Sequence, residues 1–156
     1  MIGRIFRKII TTIYKLFHWN KLKTARLYDI PRIYFLKRLN VGNNVCINNG
    51  VFIHAAGGVT IGDDCVLSAG TTILSTGENT DLWVGRDPQR DIHAETPVRI
   101  GRNVWLCANT TVCPGVEIAD DSIIAAGSVV TKNLTKKGAL YAGVPARYIK
   151  DLKNEQ

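Results

Sequence analysis

Three side chains of this sequence, His18, His54 and His93, are imidazoles, the residue type best suited to proton transfer to or from a substrate. His93 closes a long polar stretch, ENTDLWVGRDPQRDIH, in which Asp81, Asp87 and Asp91 precede it and Glu95 follows. Asp91, two residues before it, is a candidate to orient an imidazole or to bind an acceptor hydroxyl. Trp83 in the same stretch is a flat apolar platform of the kind that sugars stack on, or else a residue packed on a neighbouring surface. His54 lies in a different setting, the small and aliphatic run GVFIHAAGGVTIG. His18 flanks a basic N-terminal segment and reads as a solvated residue.

The four cysteines, Cys46, Cys65, Cys107 and Cys113, show no CxxC pairing and no zinc-finger histidine spacing. As nucleophiles they would need an activated thiolate, and no neighbouring base is evident. They read as packed, reduced thiols, which fits a reducing compartment and a cytoplasmic chain. A metal centre would need more convergent ligands than the chain offers, so no metal requirement is expected.

These groups must be carried by one domain, because 156 residues with 46% hydrophobic content match the usual size of a single core. No apolar run approaches the ~20 residues that span a bilayer, and the start MIGRIFRKII lacks a signal-peptide pattern. The net charge of +7 is segregated: residues 1–40 hold ten Lys/Arg against Asp29 alone, a local +9, which leaves −2 for the remainder. Within residues 5–17, Ile5, Phe6, Ile9, Ile10, Ile13, Tyr14, Leu16 and Phe17 recur at helical spacing opposite Arg4, Arg7, Lys8 and Lys15. We therefore expect a basic amphipathic helical segment over 1–40. Two homes compete for its apolar stripe: the rest of the domain or a neighbouring subunit, and an anionic membrane leaflet that residues 1–20 would contact from the cytoplasmic side. The charge is unaccompanied by a nucleic-acid-binding motif, so no nucleic-acid partner is expected.

From residue 41 the sequence beats in sixes. Val41, Ile47, Ile53, Ile61, Leu67 and Ile73, then Ile100, Leu106, Val112, Ile118, Ile124 and Val130, all occupy the first position, with two extra residues between Ile53 and Ile61. Since Ile, Leu and Val fill 42 of 156 positions, twelve of twelve by chance is on the order of 10⁻⁷. Each six-residue unit is read as one short strand plus a turn, with an aliphatic and a small side chain inward at the first and fifth positions. Three units close a triangular coil, and stacked coils pair every backbone group. Thirteen units make a little over four coils, and small second and fifth positions are expected to permit the corners. The domain is accordingly placed at 41–156, with an insertion at about 79–93 breaking the beat; long excursions from a rigid scaffold are most often functional.

This repeat, with IGRNVWLCANTTVCPGVEIADDSIIAAGSVVTKNL and AGVPARYI, closely resembles the hexapeptide-repeat acyltransferases over roughly residues 41–150. Within them, Pro97 to Ile149 is most similar to the maltose, galactoside and polysaccharide O-acetyltransferase branch. The resemblance implies an all-β fold, a left-handed parallel β-helix. It also implies transfer of acetyl from acetyl-CoA to a hydroxyl of a sugar or glycan precursor at clefts of a homotrimer, with a backbone N–H stabilising the oxyanion. An amino sugar, amino acid or antibiotic acceptor is the alternative substrate, and a non-catalytic scaffold the alternative class. The γ-class carbonic anhydrases share the fold but need three histidines, where this helix body offers His54 and His93.

The resemblance further implies that the protruding loop carries the catalytic histidine, which points to His93. Sugar acetyltransferases place that histidine just after a TG step such as Thr76-Gly77, where this chain has Glu78, so His93 stands displaced. His54 competes, because its segment is similar to the catalytic segment of serine acetyltransferases. By the same resemblance Lys132, Arg147 and Lys150 meet the acetyl-CoA phosphates, while Gly127, Ala142 and Gly143 let the pantetheine arm lie close to the backbone.

Overall fold

A computed structural model describes residues 2–153. Met1 and residues 154–156, which fall within the 1–40 and 41–156 segments, lie outside the described residues, as do the side chains of residues 2–4, Arg4 among them. The chain forms a left-handed parallel β-helix with three flat faces. On the first face Arg26–Leu27, Cys46–Ile47, Val66–Leu67, Trp105–Leu106, Ile123–Ile124 and Ala139–Ala142 pair in parallel, and Arg147–Asp151 folds back antiparallel on the last of them. The other two faces carry the register columns Ile33, Ile53, Ile73, Val112, Val130 and Val41, Ile61, Ile100, Ile118, Leu134.

The core is the stack of first-position aliphatics, with Ile47, Ile53, Leu67, Ile73, Leu106, Ile124 and Val130 fully buried. Fifth positions alternate with them as small buried residues: Val45, Val51, Cys65, Thr71, Val104, Thr110, Val116, Ser122 and Ser128. Their hydroxyls do not go unpaired. Thr71, Thr110 and Ser122 donate to the carbonyls three residues back, at 2.8, 2.8 and 2.7 Å, so each closes its own corner.

Two expectations are corrected. The helix starts at Arg26, not at 41, and runs through five coils into a sixth rather than a little over four. Leu27, Ile33 and Val41 lie in register with Ile47, Ile53 and Ile61, including the same two-residue excess before the third face. The flanking Arg, Tyr, Phe and Lys residues obscure that first coil. The corners, moreover, turn at the fourth position: Asn44, Gly50, Asp64, Gly70, Asn103, Asn109, Gly115, Asp121 and Gly127 all have positive φ, between 53° and 78°. Asn, Asp and Gly are the residues that tolerate that conformation. The second-position glycines serve something else, the close stacking of one coil on the next.

At the third position, carboxylates lock neighbouring coils. Asp63 accepts the Asn43 N–H at 2.6 Å, and Asp120 accepts the Arg102 N–H at 2.9 Å. The Arg102 N–H, and secondarily the Lys137 ammonium 3.0 Å away, hold the Asp120 carboxyl down at about 2. A carboxyl depressed below its unfolded value stabilises the fold above that value, and the contribution is lost as pH falls through the folded one. Asp120→Asn is therefore expected to melt below wild type at pH 6, with the gap closing as the pH falls from about 4 to about 2. A gap independent of pH in thermal melts would contradict this.

Before the first coil, α1 (Ile2–Phe17) and a short helical turn, Trp19–Leu22, close the end of the prism. Leu22 is fully buried and plugs the aliphatic column. Thr11 and Tyr14 turn toward the body, and the Lys15 ammonium donates to the Ala25 carbonyl at 2.7 Å. The main apolar stripe faces the other way. Ile5, Phe6, Ile9, Ile13, Leu16 and Phe17 are 48–82% exposed, so the other described residues do not cover them.

Candidate active site

The beat breaks after Leu74 and resumes at Val98, and the excursion between them is anchored at its root. Thr76–Glu78 and His93–Glu95 pair antiparallel, with His93 opposite Glu78, Ala94 opposite Gly77 and Glu95 opposite Thr76. The Asn79 N–H donates to the Ile92 carbonyl at 2.8 Å, and Ile92 is buried beneath the ribbon. Gly57 is required below it, because a Cβ there would stand 2.3 Å from the Ser75 carbonyl and 2.6 Å from the Thr96 nitrogen. The Arg38 guanidinium, from the first coil, bonds Glu95 at 2.6 Å and also reaches the Ala56 carbonyl, so it braces the ribbon from the N-terminal side.

This root sets the geometry of His93. Asp91 accepts twice with one oxygen, from the His93 backbone N–H at 3.0 Å and at the imidazole Nδ1 3.1 Å away. The first of these bonds, before the imidazole's own charge, draws the Asp91 carboxyl below its ordinary range. A proton held on Nδ1 by a carboxylate leaves Nε2 as the ring nitrogen with a free lone pair, the arrangement a general base requires. Glu78 stands 3.6 Å from the same Nδ1. The residue directly after Thr76-Gly77 is thus not a histidine, yet strand pairing delivers one from the far end of the loop to that place.

His54 is held differently. It lies on the second coil with the Phe35, Tyr34 and Phe52 rings 5.2, 5.7 and 6.5 Å from its own, and its buried Nδ1 has no hydrogen-bond partner. No carboxylate orients it among the described residues. Trp83 is half exposed, with the Arg86 guanidinium stacked 4.5 Å above its ring, so one face of the platform is taken. Cys65 is pushed up to about 11 by burial, and burial also raises Cys107 and Cys113, which keeps these thiols protonated at neutral pH. Among the described residues no three His, Cys, Asp or Glu side chains converge as a metal site.

At the C-terminal end Lys132 and Arg147 line one cleft of about 440 Å³ together with Asn133, Tyr141 and Tyr148. Lys136 also borders it, but its ammonium pairs with Asp151 at 2.5 Å and lies over the Tyr148 ring, and Asp151 chiefly raises its pKa. Lys132 and Arg147 make no ion pair among the described residues, so theirs are the charges left for an anion. Arg147 sits opposite Ala142 in the closing ribbon, and next to Ala142 Gly143 takes a φ of 103° and donates to Ser128 Oγ at 3.1 Å. Gly127, one coil earlier on the same edge, has open space where a Cβ would stand. Lys150 is exposed on the ribbon opposite Leu140 and outside that cleft. Trp105, which the repeat spacing does not single out, stands half exposed on the first face with its indole N–H on Ser68 Oγ at 2.9 Å. Its signal was a large aromatic in an outward sixth position.

Residues 97–132 match the bacterial transferase hexapeptide (six repeats) model, and residues 56–75 match the hexapeptide repeat of succinyl-transferase. The galactoside O-acetyltransferase of Escherichia coli K12 is 32% identical over 124 residues, 78% of this chain and 59% of that protein. A putative lipopolysaccharide biosynthesis O-acetyl transferase, WbbJ, of the same organism is 32% identical over 121 residues, 72% of this chain and 60% of that one. The chain therefore spans about three fifths of the length of these curated relatives. The crystal structure of a hexapeptide-repeat acetyltransferase from Vibrio cholerae in complex with acetyl coenzyme A superposes with a TM-score of 0.71 at 26% identity, covering 84% of this chain and 72% of that one.

Proposed function

Because the chain belongs to the hexapeptide-repeat acetyltransferase family, we propose that it transfers acetyl from acetyl-CoA to a hydroxyl of a sugar or glycan precursor. The observation that carries this reading is the Asp91-held imidazole of His93 on the one long loop of a rigid prism. The acceptor O–H gives its proton to Nε2 of His93 while its oxygen attacks the thioester carbonyl. A backbone N–H stabilises the tetrahedral oxyanion, the C–S bond breaks, and the proton passes from His93 to the departing coenzyme A thiolate. Asp91 keeps the ring in the required tautomer and stabilises the transient imidazolium. Lys132 and Arg147 hold the nucleotide phosphates, and Lys150 adds charge nearby. Gly127, Ala142 and Gly143 leave the arm room against the backbone, and Trp83 stacks on the acceptor with the face that Arg86 leaves open.

The catalytic loop stands out from a single prism, and we place the acceptor in clefts between three copies, a homotrimer working in the cytoplasm. The lipopolysaccharide-related name of one relative favours a cell-surface polysaccharide precursor as the substrate. Thiol release from acetyl-CoA over a panel of sugars, glycan precursors and amino alcohols tests the activity; release with no acceptor of the panel above the hydrolysis background would end it. Charge-assisted phosphate contacts are worth roughly 1.5–3 kcal/mol each, so Lys132→Ala with Arg147→Ala is expected to raise the KM for acetyl-CoA at least about tenfold with kcat nearly kept. An unchanged KM would remove the cleft from the donor site.

A further inference from the structure

We propose that the outward face of α1 is a docking surface for an anionic lipid bilayer, which holds the molecule by its N-terminal end. The helix is two-faced in a way a merely structural cap does not require. Its inner side supplies the contacts that close the prism, through Thr11, Tyr14 and the Lys15 ammonium. Its outer side presents Ile5, Ile9, Ile13 and Leu16, a row at spacings of four, four and three, with Phe6 and Phe17 beside it, all about half exposed or more. Burying such a row costs no polar partner and needs only an apolar medium.

The row does not end with the helix. Leu16, Phe17 and Trp19 continue into a groove of about 750 Å³ that Phe35 and Leu36 also line, with the exposed Lys37 beside them. Lys8 is exposed beside the row itself, next to Ile5, Ile9 and Ile13. An apolar strip bordered by long cationic side chains, with a tryptophan at one end, is the composition of an interfacial helix, where alkyl stems enter the headgroup layer and cations meet phosphates.

Charge decides between lipid and the α1 of a second copy. The first forty residues carry +9 and the remainder −2, so pairing α1 with α1 of another copy would press two cationic surfaces together. An anionic leaflet neutralises the same charge. The placement also polarises the molecule. The catalytic loop leaves the third coil, two strand spacings from the first, and the Lys132–Arg147 cleft lies in the last two coils; at about 4.8 Å per spacing these stand roughly 10 and 20–25 Å along the rod from the lipid-bound end. An acceptor borne on lipid would meet the loop near the surface, while the soluble donor enters at the far end. This orientation rests on the transferase reading; the lipid contact does not.

Co-sedimentation of the full chain tests it with vesicles of phosphatidylcholine alone and of phosphatidylcholine mixed equally with phosphatidylglycerol. Binding is expected to the mixed vesicles and to weaken with added salt. Ile9→Asp with Ile13→Asp should lower the partition more than tenfold, and Lys8→Gln with Lys37→Gln about fivefold per cation. Both pairs are exposed, so the melting temperature serves as a control for folding. Wild-type protein left in the supernatant with the mixed vesicles, or variants that bind as wild type does, would overturn the proposal. So would a change of assembly size in sedimentation velocity for Ile9→Asp with Ile13→Asp, which would assign the stripe to a neighbouring subunit, or tight binding to duplex DNA without vesicle binding. Acetyl transfer has no part in any of these readouts.

Discussion

Replacing His93 by alanine is expected to lower kcat/KM by 10²–10⁴, the usual contribution of a positioned general base, while leaving the fold intact. The expectation of an intact fold comes from burial. The His93 side chain is 65% exposed and the ribbon that carries it is held by backbone pairing, by Ile92 and by the Arg38–Glu95 bridge. The loss should fall on kcat, since His93 makes no part of the cleft formed by Lys132 and Arg147. Asp91→Asn gives the discriminating companion. An amide oxygen still accepts from the His93 N–H, but the negative charge at Nδ1 is gone, so activity should fall at least about tenfold while the melting temperature drops only slightly, the carboxyl being exposed. His54→Ala should behave in the opposite sense. The ring is packed among Tyr34, Phe35 and Phe52, so its removal loosens the second coil and lowers stability more than turnover. Steady-state kinetics of the three variants, each with a thermal melt, settle the assignment. Full activity in His93→Ala beside an inactive, well-folded His54→Ala would falsify His93 as the base and leave the transferase reading standing.

How far the sequence led differs between fold and site, for a physical reason. The prism repeats one local rule, so twelve aliphatic first positions reveal it, and the same residues form the buried columns. The first coil obeys the rule through Leu27, Ile33 and Val41, but the cations and aromatics at its outward positions mask the beat there. Corner chemistry is legible too, in the fourth-position Asn, Asp and Gly, although small residues at the second and fifth positions imitate it. The site is not periodic. That His93 lies opposite Glu78 depends on where a fourteen-residue excursion closes, which no spacing in the loop announces. The pairing of Lys132 with Arg147 across one cleft likewise depends on the chain reversal between Ala139–Ala142 and Arg147–Asp151.

The second-position glycines give the largest expected loss of stability. A Cβ on Gly62 would stand 2.6 Å from the Gly101 carbonyl oxygen, 2.7 Å from its carbon and 2.8 Å from the Arg102 nitrogen. All three are backbone atoms of the next coil, held by the Gly62 N–H to Ile100 carbonyl bond at 2.8 Å and by the parallel pairing of Val59–Ile61 with Val98–Ile100. No side chain is there to swing aside. Relief must come from parting two coils, which stretches ladder bonds and opens a gap between Ile61 and Ile100 in the core column. Overpacking of this kind costs about 1–3 kcal/mol for a methyl group, and Gly62→Val adds branching with no direction of escape. We expect Gly62→Ala to lower the melting temperature by several degrees, about 2–4 °C per kcal/mol at this chain length, and Gly62→Val to yield little folded protein. Gly85, in the loop with open space where its Cβ would stand, is the control, although its φ of +70° carries a local backbone cost of about 1 kcal/mol for alanine. If Gly62→Ala melts no lower than Gly85→Ala, coil-on-coil contact is not what the repeat's glycine protects. The glycine that follows the first-position aliphatic at Gly42, Gly62 and Gly101 would then need another cause.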